Sequence, residues 1–546
     1  MSKKDKTQVS AAADVKKENK GSFSLNDLNN KTLWIFTGIL TIVYFIFSTF
    51  SDGFYMHDEP MFYLYAKELL QSPQESLLSF QKLGYILYLA LPSLGGFTFL
   101  HFCNSLLSAV TVMYSYKIVQ KLGGKNSFLV FFILGLQPLW FMLAFRNFSE
   151  FLTAFVLVMA AWNHFNKKYI FAAFLVSYAA LTRQEYHILL GLYFWILVFK
   201  KQWIAALSTG VLTVLHNFMG YFITDDILYL PNQVIKYSHE NNSAYPKRGF
   251  DYYFIMSNVV FGATSLVLFI NYIGISILKK KLPNLILLIP VLITFLLYCV
   301  FNHTTWDIGV GGGNLRYVLP IAPFMVILGV LSIDEIAEYG KKYLILIFLL
   351  PLLLLITIYQ TYDHDFMKLL EDGDRYWMPF VLALATIVIL MLPLKSKQYL
   401  LTFGLISVIL IVSTARTFNL NPEDATMKKA GEWFSRYLEK NKNVEGALFT
   451  EDSRITSGHI LFFYYSNKYK SDYKNRPVID ITKEVTDTLK KGDIVVWDSH
   501  YGYRPELRPT SQPYDYYDKN PDFEKIQYYQ SKDNRFLIAF FRKVKD

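Results

Sequence analysis

Residues 31–70 read KTLWIFTGILTIVYFIFSTFSDGFYMHDEPMFYLYAKELL. Residues 33–50 form a nearly unbroken apolar run of the ~20-residue length that crosses a bilayer core as a helix. The polar stretch that follows carries His57, Asp58 and Glu59, then Pro60 and a short aromatic, Leu-rich segment to residue 70. A membrane span that opens into a loop with paired carboxylates is the unit from which the rest of the chain is read.

Apolar runs of similar length recur, and they predict about thirteen spans, near 33–50, 97–119, 127–143, 149–165, 169–182, 186–199, 203–222, 254–278, 285–301, 316–332, 343–360, 377–394 and 399–415. With 53% hydrophobic and 18% charged residues over 546 positions, a single soluble core is excluded. The formal charge is +10, but Lys and Arg concentrate in short gaps between apolar runs and at the N-terminus. That distribution belongs to membrane topology and excludes a nucleic-acid-binding face. Cys103 and Cys299 lie inside apolar runs and predict neither a disulfide nor a metal site. Residues 1–31 are polar and Lys-rich, too long before the first apolar run for a signal peptide, and read as a flexible cytoplasmic tail.

With the N-terminus in the cytoplasm, Lys121/Lys125, Lys167/Lys168, Lys200/Lys201, Lys279/Lys280/Lys281, Lys341/Lys342 and Lys395/Lys397 all fall on the cytoplasmic side, as the positive-inside rule requires. The opposite face then receives 51–96, 144–148, 183–185, 223–253, 302–315, 361–376 and everything after 416. The expected domains are the tail 1–31, a membrane domain 32–416 and a soluble extracytoplasmic α/β domain 417–546. The last mixes a helical start at Pro422 with β-type runs GALFT, DIVVWD and FLIAFF. No internal repeat points to an inverted-repeat transporter.

Pro60 suits the first position of a helix over about 61–70. An amphipathic helix that short is expected along the membrane surface, its N-terminal end carrying Asp58 and Glu59 ionised. Such a carboxylate could serve as a general base, or simply cap the helix. Arg316, at an outer span start in Gly313-Asn314-Leu315-Arg316-Tyr317-Val318-Leu319-Pro320, could clasp a phosphate or snorkel to the interface. Arg146, Glu150, Arg183 and Glu185 sit at outer span ends, where charges face either a watery cavity or each other. His303 and Asp307 with the glycines at 309 and 311–313 could form a mobile loop, and Lys247-Arg248 could meet a lipid phosphate; both segments also read as ordinary loops. Trp497, Tyr501, Tyr503, Tyr514, Tyr516 and Tyr517 could offer aromatic faces to a sugar, or pack a core. No local His/Cys/Asp spacing marks a zinc site, and no phosphate-binding Gly-rich turn or Gly-x-Ser-x-Gly elbow is present. No cofactor is expected, and a divalent metal has no support in the sequence.

The acidic pair straight after the first span resembles the signature of the GT-C glycosyltransferases. His57-Asp58-Glu59 is similar to the His-Pro-Asp-Glu form of the lipid-linked-mannose mannosyltransferases, although here the proline follows the pair. Arg316-Tyr317-Val318-Leu319-Pro320 resembles the Arg-Tyr-x-Leu-Pro element of the protein-mannosyltransferase and aminoarabinose-transferase branches, and Arg183-Gln184-Glu185 is similar to an Arg-Pro-Glu element of bacterial members. The resemblance implies a polytopic α-helical membrane enzyme with a C-terminal extracytoplasmic α/β domain. It would move a mannose-like sugar, with inversion, from a polyprenyl-phosphate carrier to a hydroxyl of a glycan, lipid or protein acceptor. Asp58 would be the base, with Glu59 the alternative. Arg316, Arg183, Lys247 and Arg248 would hold the donor phosphate, and His57, Glu185, Arg146, His303 and Tyr317 would contact substrate. Membrane lipids are the surrounding partner, in a bacterial inner membrane or alternatively the endoplasmic reticulum. A lipid-linked-oligosaccharide flippase, or a glycan polymerase or ligase, would share this topology.

Overall fold

The computed structural model describes residues 28–71, 73, 82–242, 247–304, 313–339, 352, 378–414, 417–441, 453–467, 481–505 and 509–546. The predicted span 343–360 apart from Leu352, the segment 361–376, the run GALFT, and Asp307 with the glycines at 309, 311 and 312 lie outside these residues.

The apolar runs fold as helices, which close their backbone hydrogen bonds internally, as a hydrocarbon environment demands. Among the described residues, four are long and apolar enough to cross a membrane: Asn30–Thr49, Gly96–Lys121, Trp203–Thr224 and Leu315–Ile336. Shorter apolar helices accompany them, among them Tyr169–Thr182, Ala263–Leu278 and Leu285–Phe301. Several predicted spans are interrupted. The run 127–143 divides into Leu129–Ile133 and Pro138–Leu143, with Gln137 capping the second piece through Trp140 N. The run 254–278 divides at Gly262, whose φ of 76° takes the left-handed side open to glycine. Leu83–Leu94, expected within an outer loop, is an apolar helix.

Small residues let the central helices approach closely, the usual device where no hydrophobic force separates helix from lipid. On Gly96–Lys121, Ser105, Ser108, Ala109, Thr111 and Ser115 are buried. Ser108 Oγ donates to Ala144 O (2.7 Å) and Asn104 Nδ2 to Arg146 O (3.1 Å), which fixes the backbone from which Arg146 projects.

The helix expected over 61–70 runs instead from Asp58 to Gln71, with Pro60 third, where its missing N–H has no intrahelical role. One side of it is covered by protein. Phe62, Tyr63, Leu64 and Ala66 are buried, and the helix packs on Leu83–Leu94 and Ile460–Ser466.

Among the described residues after 416, four strands form a sheet of order β1-β2-β4-β3, with β1 Ile455–Ser457, β2 Ile494–Asp498, β3 Phe523–Gln530 and β4 Leu537–Lys543. β1 runs parallel to β2, and the other pairings are antiparallel. All five residues of β2 are buried, as expected for an inner strand covered on both faces. The helix Pro422–Asn441 covers one face through Phe434, stacked on Phe540 at 5.3 Å. Trp497, Tyr517, Ala539 and Phe541 build the core of the other, with Tyr514 and Tyr516 packed against it. Of the six aromatics considered as sugar platforms, Trp497 and Tyr517 are therefore core side chains, and Tyr514 and Tyr516 are partly buried against them.

This part of the chain is tied back to the first loop. Asp52 N and Gly53 N both donate to Phe418 O (3.1 and 2.9 Å), and Phe418 N donates to Ser51 Oγ (2.7 Å). A Cβ on Gly53 would lie 2.7 Å from the Asn419 carbonyl carbon and oxygen. Gly53→Ala is expected to cost about 1–3 kcal/mol by forcing two backbones apart, read as a lower unfolding temperature in detergent; an unchanged temperature would mean that the two segments separate freely.

Candidate functional site

The first loop, the start of Ser149–Phe165, the turn at 183–186 and the Arg316 element converge on one row of alternating charges. Arg316 Nη2 donates to Asp58 Oδ2, while its Nη1 reaches Glu150 Oε1 and Oε2 at 3.1 and 3.4 Å. Glu150 Oε1 is also 2.6 Å from Arg183 Nη1. Arg183 continues to Glu185 through Nε and to the Tyr298 hydroxyl through Nη2 (2.6 Å), and that hydroxyl donates to Glu185.

Local structure explains each placement. Asn314 caps the 3-10 turn Leu315–Ile321 by accepting from Arg316 N, and this turn sends Arg316 inward. Arg183 has extended backbone where Tyr169–Thr182 ends, and Gln184–Tyr186 forms a 3-10 turn that returns Glu185 to it. Glu150 occupies the first turn of its helix, where a carboxylate is favoured by the helix dipole. Aromatic faces line the guanidinium groups. Phe148 lies 4.2 Å from Arg316, and the Tyr317 ring lies 5.0 Å from Arg183 and 5.4 Å from Arg316.

Exposure changes along the row. Arg316 and Glu150 are each 1% exposed and Arg183 is 4%, whereas the Asp58 side chain is 35% exposed. Asp58 is thus the accessible end of a buried charge row.

Glu59 parts from its neighbour. It is fully buried, 3.2 Å from Arg146 Nη1, and accepts from Tyr55 N (2.6 Å). Asn147 Nδ2 donates to Glu59 O (2.7 Å), and Arg146 Nη1 also donates to Gly53 O (2.5 Å). Glu59 and Arg146 hold the loop to the bundle, and the two carboxylates are not presented together. His57 faces the C-terminal segment, with Nδ1 2.8 Å from the Tyr501 hydroxyl. His303 faces Phe250, and the Arg248 stem would meet a Cβ on Gly313, so Arg248 borders the Arg316 element. Lys247 lies beside Arg248 in the short approach to Tyr252–Phe261.

Lys82 is a functional candidate that the sequence reading passed over. It lines a cavity with Gln184, His187, His216, Tyr229 and Gln233, and its ammonium sits 4.8 Å from the Phe62 ring centre. Among the described residues no carboxylate lies within salt-bridge reach of it.

Near His57, a second group gathers Glu423, Asp424, His459 and His500. Burial opposes charge on Glu423, yet hydrogen bonds with His459 and His500 hold its carboxyl well below the usual carboxylate range. Burial lowers the His459 value and favours the neutral imidazole.

No protein-family model matches the chain, and no curated protein matches it in sequence. Among solved structures it is similar to the crystal structure of ArnT from Cupriavidus metallidurans in the apo state, with a TM-score of 0.53 at 13% sequence identity. The match covers 94% of this chain and 98% of that one. With its apolar helices, the chain thus has an ArnT-like fold, that of a multi-pass membrane protein.

Proposed function

We propose that the protein is an integral-membrane glycosyltransferase of the GT-C type, which moves a sugar from a polyprenyl-phosphate carrier to an acceptor hydroxyl on the extracytoplasmic face. The observation that carries this reading is the contact between Asp58 and Arg316, 258 residues apart in sequence. It joins a solvent-reachable carboxylate to a buried guanidinium in a chain with the fold of ArnT, an aminoarabinose transferase.

In the proposed reaction the lipid phosphate approaches Arg316 and Lys82. Arg183 already engages Glu150, Glu185 and Tyr298, so its role is to hold Glu150, which in turn orients Arg316. Asp58 accepts the proton of the acceptor hydroxyl as that oxygen attacks the anomeric carbon. The bond from that carbon to the phosphate oxygen breaks on the opposite side, its electrons leave with the lipid phosphate, and the anomeric centre inverts. Charge developing on the leaving phosphate meets preorganised cations in a site of low dielectric.

The test is reconstitution of the full chain in vesicles with polyprenyl phosphates bearing mannose, then other sugars, and a membrane extract as acceptor source. Release of free polyprenyl phosphate matched by transfer of one sugar is the expected result. Movement of an intact donor across the bilayer without release would replace this reading with a flippase, and transfer of a preassembled block with a ligase. Lys82→Met is expected to lower kcat/KM for the donor about 10- to 100-fold, the worth of one charged hydrogen bond; an unaltered kcat/KM would remove Lys82 from the donor site.

A further inference from the structure

The group beside His57 brings together side chains from four separate segments. His57 precedes Asp58 in the first loop, Glu423 and Asp424 open the helix Pro422–Asn441, His459 follows β1, and His500 follows β2. Glu423 Oε1 lies 3.1 Å from His459 Nε2 and 2.7 Å from His500 Nδ1. One ligand atom from each of His57, Glu423 and His459 falls within 4.8 Å of the others. The imidazole of His57 lies 4.9 Å from that of His459 and 5.9 Å from that of His500, centre to centre.

An independent observation concerns orphaned oxygens. Asp424 is 3% exposed, and its Oδ1 has no hydrogen-bond donor, only His57 Nε2 at 3.6 Å. Asp498, which caps the turn after β2 through His500 N and Tyr501 N, has a buried Oδ2 without a donor. Buried carboxylate oxygens without a partner are costly and rare in folded proteins. A cation among them removes that cost.

We propose that His57, Glu423 and His459 bind a zinc ion that ties the first loop to the C-terminal segment, with Asp424 and His500 completing or flanking its shell. Imidazole and carboxylate suit zinc, whose bonds of about 2.0–2.2 Å place neighbouring ligand atoms ~3.4 Å apart. The Glu423–His459 pair, at 3.1 Å, is within a few tenths of an ångström of that separation, and side-chain rotation brings His57 in. Loading shifts the His459 proton from Nε2 to Nδ1, displacing the long 3.3 Å contact that Nδ1 now accepts from Leu461 N. Tyr501, 2.8 Å from His57 Nδ1, supplies the second-layer hydrogen bond that orients a ligating imidazole. The ion would fix the position of the residue adjoining Asp58, and its binding does not depend on the reaction proposed above.

The full-length protein, purified in detergent and stripped with a chelator, is titrated with zinc and, in parallel, with cobalt(II), whose visible spectrum reports coordination geometry. Uptake of about one zinc per chain is expected, with a tetrahedral cobalt spectrum and an unfolding temperature that falls on chelation and recovers with zinc. Glu423→Gln and His459→Gln are each expected to weaken zinc binding more than about 100-fold. Failure of the wild-type protein to bind zinc, with an unfolding temperature indifferent to zinc and chelator, would overturn the proposal whether or not the variants fold. Equal binding by folded variants would overturn it as well, since the ion would then lie elsewhere.

Discussion

Asp58→Asn is expected to lower turnover by ~10²–10⁴-fold, the usual worth of general-base help, while the protein stays folded. The two halves of this expectation come from different features of the same side chain. Its carboxylate is the exposed end of the charge row, the member open to an incoming hydroxyl. Asparagine there still accepts the Arg316 hydrogen bond, and Arg316 keeps Glu150, so the buried part of the row remains compensated. Asp58→Glu, which restores a carboxylate at a shifted position, should recover part of the rate. The measurement is release of polyprenyl phosphate by the reconstituted variants, beside their unfolding temperatures. Near-normal turnover in Asp58→Asn would remove Asp58 from the chemistry.

Glu59→Gln is expected to fail for another reason. The carboxylate is fully buried against Arg146, and removing one partner of such a pair leaves an uncompensated charge, a loss of about 3–5 kcal/mol. The glutamine amide oxygen can still accept from Arg146, so what is lost is the compensating charge, leaving the guanidinium with neutral partners only: that amide, Gly53 O, and the rings of Phe145 and Phe418 at 4.9 and 4.6 Å. The variant should show a much lower folded yield and unfolding temperature. Glu59→Gln with Arg146→Met, which removes both charges, should regain much of that stability, because the two changes share one interaction. A Glu59→Gln protein as stable as wild type yet inactive would move the base from Asp58 to Glu59.

These two neighbours show where a sequence stops being informative. The apolar runs marked most helices, because a bilayer-length run leaves few other structures open to a backbone. They did not mark the break at Gly262, since glycine inside an apolar run is tolerated as readily as it interrupts. Asp58 and Glu59 are equivalent as a motif. What separates them is that Arg316 reaches one and Arg146 the other, and neither contact has any local signature. The histidine group escaped for the same reason: zinc motifs are recognised by short spacings, and His57, Glu423 and His459 are brought together only by the tertiary fold. Lys82 was overlooked because a lone lysine before an apolar helix looks like any interfacial lysine; its meaning comes from the cavity it enters. In the C-terminal segment the aromatics were conspicuous, but their composition could not say that Tyr517 would be buried beneath Phe541.

The hydrogen bonds between Ser51–Gly53 and Phe418 also set a clock. The Ser51–Phe418 bond spans 367 positions, and the bond from His57 to Tyr501 spans 444. At a synthesis rate of ~5–20 residues per second, the nascent first loop waits roughly 20–70 s after leaving the ribosome before Phe418 exists to receive it. Through that interval Gly53 lacks its backbone acceptor, and Asp58 lacks Arg316 until the chain has grown another 258 residues. This loop is thus completed long after it is made, and a chain halted anywhere before residue 418 leaves it unfinished.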